Sequence, residues 1–404
     1  MFLNIQKVMV DLYLLSIVVF IAGLALLVYR DRKKIEIKNF LIMRRTKRFA
    51  DLIDRVAKFS PTVWKVLSTI SIIVAFYYMV VGIFLIIDVA NQVFSGAINQ
   101  PALQFIFPVP TTQVVSTPGF IGIPFWFWIV TIAAILVPHE AMHGIISRVE
   151  KIKLKSVGVF LLAFLPGAFV EPNETQLKKA KLISRLRVFS VGSFINIVIA
   201  FNIIIFGQYF LWAGCVAPGI MVLDVNQTSP AYAAGLEPGM VIESIGDYKM
   251  ETNFLSYSYS TLSVKNSLSA EAPKYFSGAL LYSGLKHYEP NDTVTVYTDS
   301  GDFDVVLGES KVIEDFAYLG IEGSLNTEKP EYFASIFPLL GIISVLSMAV
   351  AIVNILPIYP LDGGLMIEAL VGEIANKKNT KTVVMAITWF VLLIILYSFF
   401  GPMF

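Results

Sequence analysis

Long apolar runs without charged side chains are the feature that most constrains the fold of this chain. A transmembrane helix needs about 20 consecutive apolar residues, and six runs meet that length. They lie near residues 8–29, 66–87, 119–138, 188–213, 334–356 and 382–403, and only the first contains a charge, Asp11. Of the 404 residues, 56% are hydrophobic and 15% charged, against about 25% charged in soluble domains. The sequence predicts a polytopic α-helical membrane protein with about six transmembrane helices.

Charges between the runs predict an orientation, since basic loops stay in the cytoplasm. Residues 30–65 contain twelve basic and four acidic side chains, 148–187 include KIKLK and KKAKLISRLR, and 357–381 end in NKKNTK. These three loops fall on one side when six helices alternate. Residues 214–330, with sixteen acidic and six basic side chains, are then outside. The first run is long, lacks a small-residue cleavage site and is followed by RDRKK, so we expect a retained anchor. An anchor without targeting signals and the compact length favour a prokaryotic plasma membrane.

Composition and segment lengths set further limits. The net charge of +1 gives no support to a nucleic-acid partner. The single cysteine, Cys215, excludes an internal disulfide and a cysteine-based zinc site. The run FLLAFLPGAFV at 160–170 is too short to span and predicts a re-entrant or edge element.

We divide the chain into four parts. They are two N-terminal transmembrane helices with a basic loop (1–118), a first membrane core (119–213), an inserted outside domain (214–330), and a second core with the last helix (331–404).

The outside segment has the patterns of an α+β domain. DTVTVYTD and FDVVLG alternate as strands do. TSPAYAAGLEPGMVIESIGDYKM at 228–250 predicts a short helix, a Pro-Gly turn and a strand, and it resembles bacterial PDZ domains. The resemblance implies a groove that captures an extended peptide or a chain end by strand addition.

One short motif supplies the predicted groove residues. AYLGIEG at 317–323 resembles the loop before the binding strand, so Leu319, Gly320 and Ile321 are predicted to line the groove. Residues 252–287 are longer and richer in Tyr and Ser than a compact PDZ domain. A structural β module without a ligand is the alternative.

The motif PHEAMHG (138–144) ends the third apolar run. His139 and His143 are four residues apart, so on a helix both imidazoles reach one ion. Glu140 lies about 100° round the helix, beside such an ion, as a general base must. Two histidines and a glutamate at membrane depth are costly without an ion. The motif therefore predicts a metal site rather than a helix–helix hydrogen bond.

A catalytic zinc needs three protein ligands and an open position. The histidine pair lies about 8 Å from Arg148 along the helix, near the inner face, whereas His287 is predicted to be a surface residue of the outside segment. Asp362 in NILPIYPLDGG (354–364) follows the fifth run and reaches the inner face, so we expect it as the third ligand. A plain turn in which Asp362 caps the next helix is the alternative.

HEAMH, GAFVEP, GSFIN and NILPIYPLDGG occur in this order, with the PDZ-like segment before the last. Together they resemble the site-2 protease family of intramembrane zinc metalloproteases (peptidase family M50) over about residues 119–375. The resemblance implies one zinc ion bound by His139, His143 and Asp362, with Glu140 as the general base.

The resemblance also implies further roles. Asn196 in GSFIN matches a family asparagine and is expected to stabilise the developing oxyanion; an interhelical hydrogen bond is the alternative. Phe169 and Glu171 lie in GAFVEP, which resembles the family's edge strand for unwound substrate. Asn354 matches the family's N-x-x-P-x-x-P-L-D-G pattern and is expected to position the substrate.

The resemblance thus implies an intramembrane zinc metalloprotease that hydrolyses peptide bonds within or near transmembrane segments of membrane-anchored protein substrates. Loop charges place its zinc site toward the cytoplasmic face. A non-catalytic PDZ-bearing scaffold is one alternative, and a zinc protease that cuts polar juxtamembrane segments is another. A transporter with a midplane ion site predicts two similar halves, and the sequence shows no internal repeat.

Overall fold

The fold is known from a computed structural model, which describes residues 2–32, 35–38, 41–98, 101, 104–112, 114–117, 119–162, 165–254, 272–310, 315–328 and 336–403. Residues 255–271, within the Tyr- and Ser-rich region noted above, lie outside the described residues. Contacts divide the chain into two compact units. The first contains residues 1–111, 117–201 and 343–404, and the second contains residues 112–116 and 202–342.

The first half of the chain begins with helices and a hairpin. In chain order its elements are α1 (Phe2–Arg30), β1 (Ile35–Lys38), β2 (Leu41–Arg45), α2 (Lys47–Phe59), α3 (Pro61–Phe94), β3 (Phe105–Val109), β4 (Val115–Thr117), β5 (Phe120–Pro124), α4 (Phe125–Val149), β6 (Leu154–Leu162), β7 (Leu165–Pro172), α5 (Glu174–Lys179) and α6 (Leu182–Phe206).

The second half continues with a π-helix over Gly207–Trp212. The remaining elements are β8 (Ile220–Val225), α7 (Pro230–Ala233), β9 (Val241–Ile245), β10 (Tyr248–Lys249), α8 (Ala272–Leu285), β11 (Thr293–Thr298), β12 (Gly301–Val306), β13 (Gly308–Glu309), β14 (Ala317–Tyr318), β15 (Ile321–Leu325), α9 (Ile336–Ile355), α10 (Asp362–Ile374) and α11 (Lys377–Phe400).

Six helices of the described chain are long and apolar enough to cross a bilayer. They lie at Asp11–Arg30, Pro61–Phe94, Phe125–Val149, Leu182–Tyr209, Ile336–Ile355 and Lys378–Phe400, in agreement with the six predicted runs. The third differs at its start. Residues Phe120–Pro124 form a strand, and the helix begins at Phe125 and continues through the histidine motif to Val149.

A four-stranded antiparallel sheet belongs to the first unit, with the order β1-β2-β6-β7. The predicted edge element at 160–170 is confirmed, since it forms the end of β6 and most of β7. The hairpin β1–β2 comes from the basic segment 30–65, which sequence analysis treated only as a loop, and β2 pairs with β6. Strand β7 is therefore left at one edge of the sheet.

Helix α4 packs between α2 and this sheet. Ile53 and Ala57 of α2 lie in one core with Ile146 of α4 and Val170 of β7. A Cβ at Gly144 would lie 2.9 Å from Ile53 Cδ1 and 3.1 Å from Val170 Cγ1. The absence of a side chain directly after His143 thus lets both neighbours approach the helix closely.

The break between α9 and α10 depends on the glycines of LDGG. A Cβ at Gly363 would overlap the backbone of Ile355 and Leu356, and one at Gly364 would lie 2.5 Å from the backbone of Ile358. The chain therefore folds back tightly onto the end of α9 before α10 begins at Asp362. The Tyr359–Pro360 peptide bond is cis, and Tyr359 N–H donates to Thr388 Oγ1 of α11 at 3.0 Å.

The second unit is built on a sheet with the order β12-β11-β9-β8-β15, to which β10 adds beside β9. The predicted strands β9, β11 and β12 and the short helix α7 are all present. Ser229 caps α7 by accepting a hydrogen bond from Tyr232 N–H. The core of the second unit contains Ile220, Ile242 and Val296.

Candidate metal centre

Three helices of the first unit bring the predicted ligands together. His139 and His143 lie one turn apart on α4, and Asp362 is the first residue of α10. Among the described residues, these three form the one group of histidine, cysteine or acidic side chains close enough to hold an ion. Glu140 is not part of that group. Helix α6 forms the wall that faces them.

The distances between ligand atoms fit a tetrahedral metal site. Nε2 of His139 and Nε2 of His143 are 3.2 Å apart. Asp362 Oδ2 lies 3.4 Å from the first and 3.5 Å from the second. Ligands bound to zinc at 2.0–2.2 Å in a tetrahedron are separated by about 3.3 Å. The donor set of two imidazoles and one carboxylate therefore suits zinc and leaves a fourth position.

The imidazoles are held by hydrogen bonds on their other nitrogens. His143 Nδ1 lies 2.6 Å from the carbonyl oxygen of Val188 on α6. Because a carbonyl only accepts, Nδ1 carries the proton and Nε2 is left as the ligand atom. His139 Nδ1 faces the side-chain amide of buried Asn196 at 3.2 Å.

A glycine on α6 makes the space for the cluster. A Cβ at Gly192 would lie 2.7 Å from His139 Nε2 and closer still to His143 Nε2. These are the two nitrogens that face Asp362. The ligand nitrogens take the space that a side chain at Gly192 would need, so the bare backbone of α6 lets them converge.

Asp362 is in the form that binds metal. Burial opposes ionisation, but the positive charge of protonated His143 and hydrogen bonds from both imidazoles outweigh it and hold the pKa of Asp362 well below its usual range. The carboxyl group is therefore ionised, and a bound cation would take the place of the proton on His143 Nε2. Ser193 Oγ, one residue after Gly192, also donates to Asp362 Oδ2 at 3.4 Å. The carboxylate therefore has partners from both α4 and α6.

Glu140 points to the sheet edge. Its Oε2 accepts a hydrogen bond of 3.1 Å from the backbone N–H of Val170 in β7. The carboxylate is half-buried and separate from the ligand trio. This arrangement suits a base that is anchored beside the ion rather than bound to it.

The other predicted residues of the first unit lie around this centre in different settings. Phe169 pairs across the hairpin with Gly158, and its ring covers that glycine. Glu171 is bound by Lys155 Nζ and Ser156 Oγ, which together lower its pKa. Asn354 is half-buried in the last turn of α9. Among described contacts, none joins Phe169, Glu171 or Asn354 to the metal ligands.

In the second unit, His287 is exposed, as predicted. Leu319, Gly320 and Ile321 line a groove of about 220 Å³ between α8 and β15. Tyr282 of α8 and Phe316 stack in it, with ring centroids 4.7 Å apart.

Sequence reasoning missed the residues that support the ligands. Val188 and Val170 act through backbone atoms, so their side chains carry no signal. Gly192 and Ser193 lie in GSFIN, four and three residues before Asn196. Residues three and four positions apart share a helix face. The position of Asn196 therefore could have indicated that Gly192 and Ser193 also face the centre.

The fold and the site define a polytopic membrane protein with a centre suited to a hydrolytic metal. The profile of peptidase family M50 matches residues 127–397, which include all three ligands and Glu140. The chain belongs to this family of membrane metalloproteases, the site-2 protease family, whose members depend on zinc.

The chain is also similar to an uncharacterised protein of Methanocaldococcus jannaschii. The two are 26% identical over 234 residues, which is 56% of this chain and 58% of the relative. The chain thus matches little more than half of that relative's length.

Replacement of Gly192 by Ala should displace the ligand imidazoles. We expect zinc affinity to fall at least about tenfold, the lower end of the losses seen when the surroundings of metal ligands are disturbed. Zinc affinity is measured by competition with a chelator of known affinity. Gly23→Ala on α1 is the matched control, because nothing lies within 4 Å of its Cβ. An unchanged zinc affinity in Gly192→Ala would contradict the convergence of the ligand atoms at Gly192.

Proposed function

We propose that the chain is an intramembrane zinc metalloprotease that hydrolyses peptide bonds within or near transmembrane segments of membrane-anchored proteins. The observation that carries this proposal is the convergence of His139, His143 and Asp362 beside Glu140 in a chain with six spanning helices. When bound, zinc supplies Lewis-acid chemistry, which lowers the pKa of water toward about 7 and polarises a carbonyl.

Glu140 is the proposed general base. It takes a proton from the attacking water and delivers it to the leaving amine. The hydrogen bond from Val170 N–H fixes one carboxylate oxygen and leaves the other to act on water. A carboxylate in this setting does not need to move far between the two proton transfers.

Asn196 serves the site in two ways. When His139 binds through Nε2, its Nδ1 carries a proton and needs an acceptor, which is Asn196 Oδ1 after a half-turn of the amide. Before the half-turn, Asn196 Oδ1 is buried and has no hydrogen-bond partner among the described residues. After the half-turn, the amide nitrogen lies at that place and has no acceptor among the same residues. A buried donor without a partner is suited to receive the oxyanion.

The substitutions Glu140→Gln and Asn196→Asp should both lower the cleavage rate at least about 100-fold while zinc is retained. Loss of the base lowers the rate by about 10²–10⁴-fold, and loss of one oxyanion donor by about 10²–10³-fold. Asp still accepts from His139, so metal content stays at one per chain. Cleavage of a single-span substrate in vesicles is measured with bound zinc.

Exposed Glu174 provides the control for this experiment, since Glu174→Gln should leave cleavage unchanged. Cleavage at the wild-type rate by Glu140→Gln would disprove the proposed base. Product masses locate the cut, and a cut confined to polar flanking residues would favour the juxtamembrane alternative.

The substrate is proposed to pair with β7. Since Val170 N–H points away from β6, alternation directs Ala168 N–H to the same open edge. Pro166 and Pro172 are at even intervals from Val170, so their backbone nitrogens are directed to the same edge, but proline has no N–H. Proline at such positions is common on protected edges. No further strand pairs with β7 among the described residues, so the N–H and C=O of Ala168 on this side are proposed to receive the substrate, next to the residue that holds Glu140. An unwound substrate satisfies its backbone there.

Replacement of Ala168 by Pro removes this N–H, while β6 pairing through the neighbouring residues is retained. We expect cleavage to fall about tenfold, as for the loss of one hydrogen bond of about 1.4 kcal/mol, with zinc content unchanged. Ala168→Ser, which keeps the N–H, is the control. Equal cleavage by the two variants would rule out pairing at Ala168.

We also propose that the second unit is a PDZ-like domain that lies outside the cell and binds an extended peptide or chain end. Strand β15 is the outermost of its sheet, and its groove with α8 has Leu319, Gly320 and Ile321 at one side. Gly320 has φ +87 and lies against Ser229, so the loop before β15 is fixed in one conformation.

Gly278 of α8 lines this groove, and nothing lies within 4 Å of its Cβ. Gly278→Leu should fill the groove without strain and abolish capture of peptides from a displayed library. Ala279→Leu, exposed on the same helix outside the groove lining, should not. A library with amidated C-termini separates strand capture from carboxylate capture. Undiminished capture by Gly278→Leu would exclude this groove.

A further inference from the structure

Helix α2 presents two opposite faces. One face carries the buried Ile53 and Ala57, which pack against α4. Asp54, beside them, forms an ion pair of 2.6 Å with Arg148 of α4. The helix is therefore fixed on the protein by one side only.

The opposite face is an exposed stripe of two basic and two apolar side chains. Arg48, Leu52, Arg55 and Phe59 recur at intervals of four, three and four residues, so they share one line on the helix surface. Phe59 is 88% exposed and Leu52 48%. We call these four residues the α2 stripe.

The two arginines of the stripe differ from Arg44 and Arg45, which shortly precede α2. Arg44 is paired with Asp31 and Arg45 with Glu36. Within the described part of the chain, no ion pair involves Arg48 or Arg55. The stripe thus combines cations that lack a carboxylate partner with apolar groups that water does not favour.

Its place in the chain puts this stripe at the bilayer surface. Only Ser60 separates α2 from α3, a helix of 34 residues that spans the membrane. The corner is fixed by Trp64 Nε1–H, which donates to the carbonyl oxygen of Val56 at 2.9 Å. Tryptophan at the start of a span is typical of the membrane–water interface.

We propose that α2 is an interfacial helix that binds anionic phospholipids through the α2 stripe. Arg48 and Arg55 contact the phosphate-bearing headgroups, while Leu52 and Phe59 enter the upper acyl region. A soluble protein partner fits less well, since the stripe adjoins the point at which α3 enters lipid.

This contact reaches the metal centre through packing. Ile53, on the opposite face of α2, lies against Gly144, the residue after His143. Lipid bound at the stripe therefore sets the depth of the ligand histidines relative to the bilayer surface. The inference does not depend on the proposed proteolytic activity.

The test uses the full-length protein in phosphatidylcholine vesicles that contain an equal fraction of either brominated phosphatidylglycerol or brominated phosphatidylcholine. Phe59→Trp places a fluorescent reporter in the stripe, and the signal of the parent protein is subtracted. We expect phosphatidylglycerol to quench this reporter at least twofold more strongly. Each basic residue near an anionic surface contributes about 1 kcal/mol to binding. This energy corresponds to about a fivefold enrichment of anionic lipid near the residue, which is enough for the expected difference in quenching.

The added changes Arg48→Gln and Arg55→Gln should bring the two quenching values to equality. Lys249→Gln with Lys286→Gln, which removes the same charge from the second unit, should leave the preference intact. Equal quenching by both lipids before any arginine is changed would overturn the proposal. So would a preference that survives the loss of both arginines, or a reporter that neither lipid quenches, as for a face covered by protein.

Discussion

The metal centre depends on the close packing of its three polar ligands against α6 around Gly192. Two imidazoles and a carboxylate buried between spanning helices lose their hydration, and each is costly there without a partner. Here each ligand has a second partner on α6, through the Val188 carbonyl, the Asn196 amide and Ser193 Oγ. Gly192 leaves the central space open. Helix α6 therefore supplies no ligand, yet it determines where all three ligands point.

The same requirement explains the broken helix before Asp362. A continuous α9 would carry the carboxylate past the histidines, so the chain must leave the helix and re-enter one. Unpaired backbone in that stretch is tolerated only inside protein. Gly363 and Gly364 allow it to pack directly on the end of α9, and Tyr359 N–H is satisfied by Thr388. The two glycines are thus part of the ligand geometry, although they bind nothing.

Much of this centre was predictable because it depends on topology. The alternation of basic and acidic loops placed Asp362 at the depth of the histidine pair, and helical spacing placed Glu140 beside it. The hairpin β1–β2 was not predictable in the same way. Its strands are short and charged, and Met43 of β2 pairs with Phe160 of β6, more than a hundred residues away. Contacts made by backbone atoms, such as Val170 with Glu140, also leave no pattern in side chains.

In the proposed function, the contact between Val170 and Glu140 links substrate binding to chemistry. The N–H that holds Glu140 belongs to the edge at which a substrate strand is proposed to pair, two residues from Ala168. In the proposed binding mode, a substrate strand at Ala168 lies two residues from Val170, so its backbone is brought next to the proposed base. Such pairing uses backbone atoms, so the proposed edge accepts many sequences and selects for segments that unwind readily. Specificity would then depend on the stability of the substrate helix more than on its residues.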